Sequence, residues 1–387
     1  MAARIRQLEV RPSPVAGIDW VTRAEWPASP DRRWRPLTIV DLFCSCGGMT
    51  LGAWEGARVS KRRLDVRLAI DVMPEPSRVY RDNFSDVASN IKSVDVTKIF
   101  GGAEGRAKST VESKWQKKIG DLDFLVAGPP CQGHSDLNNS TRRSDPRNAL
   151  YLAVARAAEV LCPKSVVIEN VPAVLHDKGD VVSTTRRRLE KMGYHVSAGV
   201  VQLANFGVPQ NRKRHILVAT QTGKFELSQL DNDIQPQQSL GNYLSGLEQS
   251  ANTNGLMTTP ARMTPRNIDR VRYLFKNELH DLPNEERPPC HRDKKHAYVS
   301  MYGRMYWNKP AQTLTSGFGS MGQGRYVHPT RQRLVTPHEA ARLQGIPDFF
   351  DFSSVTTLSA LREMIANAVP PQFVATLVRR LINDGHM

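Results

Sequence analysis

The sequence has no run of about 18 or more apolar residues, so it offers no candidate for a membrane-spanning helix. Residues 1–36 also lack the apolar core of a signal peptide. The five cysteines are an odd number, and Cys44 and Cys46 are too closely spaced, with no second pair, for a zinc site. These absences favour free thiols, no metal, no membrane contact and a cytoplasmic setting.

Acidic residues are scarce relative to basic ones, with 38 Asp and Glu against 53 Lys and Arg and a formal net charge of +15. A surplus of this size favours a polyanionic partner, and nucleic acid is the commonest one. A basic surface with no special partner is the alternative. Apolar residues make up 40% of the 387 residues, enough for a packed core, and the length suggests two domains, which leaves open one large and one small domain.

Short β-prone runs alternate with helix-prone segments over the first part of the chain. This alternation predicts an α/β fold with a Rossmann-like, mixed and mostly parallel sheet. Strands are expected at 37–43, 66–70, 122–127, 165–168 and 216–219, with further strand material at 194–196 and 199–203. Residues 101–120 are polar and lysine-bearing, and they predict a surface excursion. The glycine turn at 44–48 is typical of a nucleotide-binding βα unit, but many such turns bind nothing.

Acidic side chains stand at the ends of several predicted strands, where ligands bind in open α/β sheets. Asp71 either binds ribose hydroxyls or caps the helix that begins near Pro74, and both roles together are open. Asp95 lies at a third strand end. Glu169 ends an apolar strand, where a partly dehydrated carboxyl can act as a proton donor; a surface or helix-capping glutamate is the alternative.

Cys131 comes directly after a strand that Pro129 and Pro130 bring to an end, because proline donates no backbone N–H and cannot continue a central strand. A cysteine in such a polar loop is a candidate nucleophile, since the thiolate is the reactive form. The alternative is a buried structural cysteine, against which the flanking Pro-Pro and Gln-Gly pairs speak. Residues 132–148 predict a long loop.

Six blocks of the sequence resemble those of the cytosine-C5 DNA methyltransferases, and they occur in that family's order from about Leu37 to the C-terminus. The blocks are residues 41–48, 129–132, 169–171, 210–214, 342–347 and 367–371. The resemblance implies an enzyme that methylates C5 of a flipped-out cytosine in duplex DNA with S-adenosylmethionine as cofactor. Cys131 would add to C6, Glu169 would hold the N3 and N4 edge, and Arg214 with Arg212 would hold O2 and the adjacent backbone.

The same resemblance implies the residues of the cofactor pocket and the domain limits. The pocket residues would be Phe43, Ser45, Cys46, Gly48, Asp71, Val72, Asp95, Val96, Gly128, Pro130, Leu150, Asn367, Ala368 and Val369. The expected domains are an extension at 1–35, a catalytic domain at 36–220 plus 366–387, a target-recognition domain at 221–345 and a connecting helix at 346–365. The extension is either a disordered arm or a strap across the domain.

Double-stranded DNA is the implied partner, bound by a monomer associated with the nucleoid, with a functionally linked restriction endonuclease or none. Two other functions stay open: an RNA cytosine-C5 methyltransferase on the same scaffold, and a non-catalytic DNA-binding regulator. The sequence departs from the family's usual residues at four positions that carry no catalytic group, so an active enzyme is expected. These are Ser45 for glycine, Asp71 for glutamate, His134 for phenylalanine and Ala366 for glycine.

Overall fold

The computed structural model describes residues 18–130, 150–247, 255–293 and 300–387. The predictions for Cys131, His134 and the loop at 132–148 lie outside the described residues, as do residues 1–17 and parts of the expected recognition domain. The described chain is an α/β protein built on a seven-stranded mixed sheet, which confirms the predicted fold class.

The strands alternate with helices along most of residues 36–220. They are β1 (Pro36–Leu42), β2 (Arg63–Asp71), β3 (Ile91–Ser93), β4 (Phe124–Ala127), β5 (Ser165–Asn170), β6 (His195–Gln202), β7 (Gln210–Asn211), β8 (Lys213–Thr220) and β9 (Ala311–Gln312). The burial of β4 and β5 is complete along their length, as expected for central strands covered by helices on both faces. Strands β7 and β9 form a separate two-stranded sheet.

The order of the large sheet is β3-β2-β1-β4-β5-β8-β6. Strands β3, β2, β1, β4 and β5 pair in parallel, whereas β8 runs antiparallel to both β5 and β6. The carboxyl ends of the parallel strands therefore share one edge with the amino end of β8. In the register of β5 and β8, Glu169 is opposite Ile216 and Asn170 is opposite His215.

The helices cover the sheet and build the second half of the molecule. They are α1 (Ile18–Val21), α2 (Gly48–Val59), α3 (Pro74–Phe84), α4 (Thr110–Ile119), α5 (Leu150–Leu161), α6 (Val181–Lys191), α7 (Leu240–Leu244), α8 (Gly255–Thr258), α9 (Pro265–Lys276), α10 (Pro289–Arg292), α11 (Pro337–Leu343), α12 (Leu358–Asn367) and α13 (Pro371–Asn383). Among these described helices, none combines the length and the apolar composition needed to cross a membrane.

The last helix, α13, lies against α2, the helix that follows the first strand. Gly48, Gly52 and Gly56 recur every fourth residue and form the contact face of α2. A Cβ atom at Gly52 would lie 2.5 Å from the Cβ of Val374 and 2.6 Å from the carbonyl oxygen of Pro371. The two helices approach this closely because α2 presents glycines, and the approach brings the end of the chain beside the first turn, where the sequence analysis expects it.

The segment 101–120, predicted to be a surface excursion, contains the helix α4 at residues 110–119, which the sequence did not predict. Ser109 and Glu112 make a capping box at its start. The Glu112 carboxylate is buried and accepts a hydrogen bond of 2.7 Å from Nε of Arg156 on α5. A buried ion pair replaces the apolar stripe that would have revealed this helix in the sequence.

Residues 18–34 lie on the domain, so this part of the N-terminal extension is a strap. The indole N–H of Trp20 donates to the carbonyl of Gly345 over 2.9 Å, and its ring meets Phe349 edge-on. Trp26 packs against the rings of Trp54 and Phe349, which lie on α2 and just after α11. The strap thus joins the catalytic sheet's first helix to the segment that follows α11.

Candidate active site

Glu169 and Arg214 form an ion pair at the edge where the parallel strands end. Nε of Arg214 lies 2.7 Å from Oε1 of Glu169, and the two side chains are only 11% and 10% exposed. Nη1 of Arg214 also donates to the carbonyl of Lys213 over 2.8 Å, which fixes the plane of the guanidinium. The antiparallel insertion of β8 beside β5 is what places a permanent positive charge next to this carboxylate.

The same carboxylate faces the end of β4. An ideal Cβ at Gly128 would lie 3.9 Å from Oε2 of Glu169, so the two strand ends are in near contact. On the next residue of β5, the side-chain amide of Asn170 donates to the carbonyl of Pro129 over 3.3 Å. Glu169 and Asn170 therefore flank the segment that leads into Cys131, although Cys131 itself lies outside the described residues.

Tyr151, in the first turn of α5, is a buried residue near Glu169 that the sequence analysis did not single out. Burial raises the pKa of Tyr151 above its ordinary value, and the negative charge of Glu169 raises it further. Its hydroxyl has no hydrogen-bond partner within the described part of the chain. A tyrosine at a helix start following a loop gives no sequence signal that separates it from an ordinary core residue.

Arg212 is placed differently from Arg214. It is buried, and its Nη1 and Nη2 atoms donate to the carbonyls of Leu314 and Ala366, each over 3.1 Å. These contacts tie the segment just before Arg214 to the strand region near β9 and to the end of α12. Arg212 is therefore well placed to fix the position of Arg214 through the backbone, which is a different contribution from the contact with the base that the resemblance implies.

Two glutamines extend this buried polar network. Nε2 of Gln210 donates to Oε1 of Gln344 over 2.8 Å, and the amide N–H of Leu314 donates to Oε1 of Gln210 over the same distance. Gln344 also donates to the carbonyls of Ala366 and Ala368. The blocks at 210–214, 342–347 and 367–371, which are distant in sequence, meet in this network.

The turn after β1 has an unusual backbone. Phe43, Ser45 and Gly47 have φ angles of 59°, 47° and 99°, in the left-handed region that favours glycine. The N–H of Ser45 donates to Oδ2 of Asp71 over 2.9 Å, and the N–H of Met73 donates to Oδ1 over 2.8 Å. The Asp71 carboxylate thereby stabilises the conformation that a serine adopts at this position and joins the first turn to the second.

Apolar surface lies next to that carboxylate. Val72 and Met73 are among the most exposed large apolar residues of the described chain. Burial raises the pKa of Asp71, while its hydrogen bonds with Met73 and Ser45 oppose the rise. A carboxylate beside uncovered apolar side chains at the end of β2 is suited to a ligand that has both hydroxyl groups and an aromatic ring.

Residues at the end of α12 and just after it approach this turn. Gly48 packs against the end of the chain, since a Cβ there would lie 2.8 Å from the carbonyl oxygen of Val369 and 3.2 Å from the Cβ of Ala368. Asn367 is exposed at the C-terminus of α12. Ala366 lies within the helix α12. An alanine can therefore stand where the family usually has glycine without a special backbone conformation.

The remaining predicted pocket residues are distributed around the edge of the sheet. Asp95 follows β3 by two residues, is exposed, and accepts a hydrogen bond of 2.8 Å from the N–H of Thr97, which starts a short 3₁₀ turn. Val96 is buried under that turn, and Leu150 is partly buried at the start of α5. Pro130 is partly exposed just beyond β4.

Cys44 and Cys46 are buried within the turn. Burial raises the pKa of the Cys44 thiol well above its ordinary value and that of Cys46 to about 12. Both therefore remain protonated near neutral pH and are unsuited to nucleophilic chemistry. The Sγ of Cys46 instead faces the carbonyl of Met364 at 3.9 Å.

Comparisons with known proteins agree with this geometry. Residues 37–383 match the family model described as C-5 cytosine-specific DNA methylase. The chain is 42% identical over 336 residues to the Type II methyltransferase M1.BsuMI of Bacillus subtilis (strain 168), covering 86% of this chain and 78% of that protein. It is 28% identical over 363 residues to the Type II methylase M.HgiDII of Herpetosiphon aurantiacus, covering 90% and 96%.

Solved structures show the same fold at low sequence identity. The S. pombe Dnmt2 methyltransferase superposes with a TM-score of 0.62 at 16% identity, covering 90% of this chain and 99% of that one. A putative DNA modification methyltransferase encoded within an E. coli prophage superposes with a TM-score of 0.59 at 22% identity, with the same coverage. This chain therefore has the fold of these two solved structures.

Proposed function

We propose that this protein transfers the methyl group of S-adenosylmethionine to C5 of a flipped-out cytosine in a specific duplex DNA sequence. The chain belongs to the C-5 cytosine-specific DNA methylase family. The observation that carries the proposal is the Glu169–Arg214 ion pair, which lies beside the strand end leading to Cys131. Both side chains are oriented by their own strands before any substrate arrives, as catalysis by preorganised charges requires.

The sheet edge has the groups that a cofactor of this kind needs. S-adenosylmethionine supplies the methyl group when bound. The Asp71 carboxylate has hydrogen-bonding capacity for ribose hydroxyls beyond the two backbone N–H groups that it accepts, and the exposed side chains of Val72 and Met73 offer an apolar surface for an adenine ring. Gly48, close to Val369, keeps the turn free of side chains at the point of contact.

In the proposed reaction the Cys131 thiolate forms a bond to C6 of the cytosine, the C5–C6 double-bond electrons move into the C4–C5 bond, and the C4–N3 double-bond electrons move to N3. Glu169 holds the N3 and N4 edge and supplies a proton at N3, so negative charge does not accumulate on the ring. After C5 has gained the methyl group, N3 returns its proton to Glu169, and loss of the C5 proton to water with expulsion of the Cys131 thiolate restores the aromatic ring. The atoms and charges of the protein are unchanged after one cycle.

Arg214 has two roles in this proposal. It orients the carboxyl group of Glu169 in a partly dehydrated position, and its remaining N–H groups can donate to O2 of the base. Arg212 supports Arg214 through the backbone, because its own guanidinium donates to the carbonyls of Leu314 and Ala366. We therefore assign Arg212 a positioning role.

The charge of the protein suits duplex DNA. The net charge of +15 provides the salt-dependent attraction to phosphates on which non-specific and specific binding both depend. The 42% identity to a protein named as a type II methyltransferase supports a role in restriction–modification, with the matching endonuclease as a functional partner. The expected domain division, with recognition residues between 221 and 345, belongs to the same proposal.

The proposal is tested by trapping the enzyme on DNA that contains 5-fluorocytosine, in which the C5 fluorine cannot be lost as the proton is. The DNA is first chosen by expressing the protein in a host without cytosine methylation and mapping protected cytosines. We expect a covalent adduct with the wild-type chain and none with Cys131→Ser, which should still bind the cofactor. Normal duplex binding without an adduct would indicate a non-catalytic regulator, and methylation of tRNA but not of duplex DNA would indicate an RNA enzyme.

A further inference from the structure

Arg362 lies on α12 and covers a glycine of a glycine-rich segment at 315–324. A Cβ atom at Gly319 would lie 2.4 Å from Nη1, 2.7 Å from Cζ and 2.9 Å from Nε of Arg362. Because all three atoms are at similar distances, the guanidinium lies broadside over the position that a side chain would occupy. The absence of a side chain at Gly319 is what allows this stacking.

The guanidinium of Arg362 has no hydrogen-bond or ion-pair partner within residues 18–130, 150–247, 255–293 and 300–387. The fully buried arginines among the described residues, Arg62, Arg156, Arg212 and Arg342, are all hydrogen-bonded; Arg342, for example, donates from Nε to Oδ1 of Asp348 over 2.9 Å. Burial lowers the pKa of Arg362, and no carboxylate of the described residues compensates for it. A partly dehydrated cation without an anion is unfavourable unless a ligand supplies the negative charge.

Arg362 lies near the buried contacts of Arg212, the residue that positions Arg214. Arg212 binds the carbonyl of Ala366, one helical turn after Arg362, and the carbonyl of Leu314, just before the glycine-rich segment. Both sides of the Arg362–Gly319 contact are thus fixed to the residues that precede Arg214.

We propose that Arg362 binds a backbone phosphate of the substrate DNA and, by stacking on Gly319, holds the segment 315–324 against that DNA. The inference rests on the proposed function, because duplex DNA is the polyanion that the reaction brings to this site. A guanidinium matches a phosphate well, since two parallel N–H groups can donate to two oxygens. Contacts of this kind set the register of a protein on DNA without reading its sequence.

The test measures equilibrium binding of the full-length chain to a duplex that the wild-type protein methylates, with S-adenosylhomocysteine present, from roughly 50 to 300 mM salt. The variants are Arg362→Gln, Arg362→Lys and Gly319→Ala, and the control is Arg32→Gln, an exposed arginine on the strap. Arg32→Gln removes the same charge from the chain at a position where nothing places it near the active site.

We expect Arg362→Gln to weaken binding roughly tenfold and to reduce the slope of log Kd against log salt by about 1. Arg362→Lys should keep most of the slope, because it keeps the charge. Gly319→Ala should weaken binding with every charge retained, because the methyl group displaces the guanidinium. Arg32→Gln should change neither quantity by a comparable amount.

Three results would overturn the inference. One is an unchanged salt slope in Arg362→Gln, the second is an equal loss in Arg32→Gln, and the third is a loss of affinity for S-adenosylhomocysteine alone, which would assign Arg362 to the cofactor carboxylate. Each of these leaves the proposed function intact if the wild-type chain methylates the duplex. Failure of the wild-type chain to methylate any cytosine in duplex DNA would overturn both.

Discussion

Nε of Arg214 lies 2.7 Å from Oε1 of Glu169, across the antiparallel pair of strands β5 and β8. Each side chain is about one-tenth exposed, so water screens the pair poorly. Removing one partner leaves the other as a nearly buried, uncompensated charge, whereas removing both leaves two neutral groups. The two residues should therefore act as one energetic unit.

A double-mutant cycle on this pair should show strong coupling. We expect Glu169→Gln and Arg214→Gln each to lower the free energy of unfolding by about 1–3 kcal/mol, and the double variant to lose clearly less than the sum. Urea unfolding measures all four free energies. Methyl transfer should fall by about 100-fold or more in every variant, since the general acid or its partner is missing.

The exposed pair formed by Arg186 and Glu190 is the matched control, with Nε and Oε1 2.9 Å apart but side chains 47% and 46% exposed. Its coupling energy should not exceed about 0.5 kcal/mol. Equal coupling in the two cycles would show that water screens the Glu169–Arg214 pair as fully as it screens the exposed pair.

Asp41 should make stability depend on pH. Its carboxyl is fully buried beneath the turn at 43–48; burial raises its pKa from 3.8 to about 7, against the hydrogen bond from Thr50, and the charge of Asp71 adds to the rise. The folded state thus binds this proton more tightly than the unfolded chain. Below the unfolded pKa, Asp41 therefore does not lower the free energy of unfolding. The loss grows as pH rises from about 4 to about 7 and is constant above.

Replacing Asp41 with asparagine should remove this dependence. The difference in unfolding free energy between Asp41→Asn and the wild type should shift in favour of the variant as pH rises from about 5 to about 8, as measured by urea unfolding. Asp95→Asn, at an exposed carboxylate that caps Thr97, should follow the wild-type pH curve. A pH-independent difference for Asp41→Asn would show that the carboxyl is not dehydrated as the fold implies.

The sequence predicts the edge of the sheet well because strand ends and proline stops are local features. Glu169, Asp71 and the turn after β1 could each be placed without knowing the fold. The pairing of Glu169 with Arg214 could not, since it depends on β8 inserting antiparallel between β5 and β6. The sequence analysis accordingly put Arg214 before a strand, whereas it lies within β8.

The buried polar network was also beyond sequence reasoning. Gln210 and Gln344 look like surface residues, because a glutamine is usually exposed. They are buried here because each satisfies the other and the carbonyls around it, as with Glu112 and Arg156 beneath α4. Two buried polar side chains that bond to each other leave no apolar periodicity in the sequence, so only the three-dimensional contact identifies them.

The glycine face of α2 should be intolerant of even one methyl group. Gly52→Ala should destabilise the protein by about 1–3 kcal/mol, because the Cβ would overlap the Cβ of Val374 and the carbonyl of Pro371. S-adenosylhomocysteine binding, measured by calorimetry, should weaken as well, since α2 begins at the turn beside Asp71. Gly255→Ala, where a Cβ meets open space, should stay within about 0.5 kcal/mol of wild type.

The strap should contribute to stability through Trp20. This residue is 2% exposed, its N–H donates to the carbonyl of Gly345, and Gly345 directly follows the Gln344 that joins three blocks of the site. Trp20→Phe should lower the free energy of unfolding by about 1–3 kcal/mol through the unpaired carbonyl and the lost volume, and Trp20→Ala by about 3–5 kcal/mol. Trp307→Phe, at a residue 42% exposed, should change it by less than about 0.5 kcal/mol. Equal urea midpoints for Trp20→Ala and the wild type would mean that residues 18–34 do not hold the two parts together in solution.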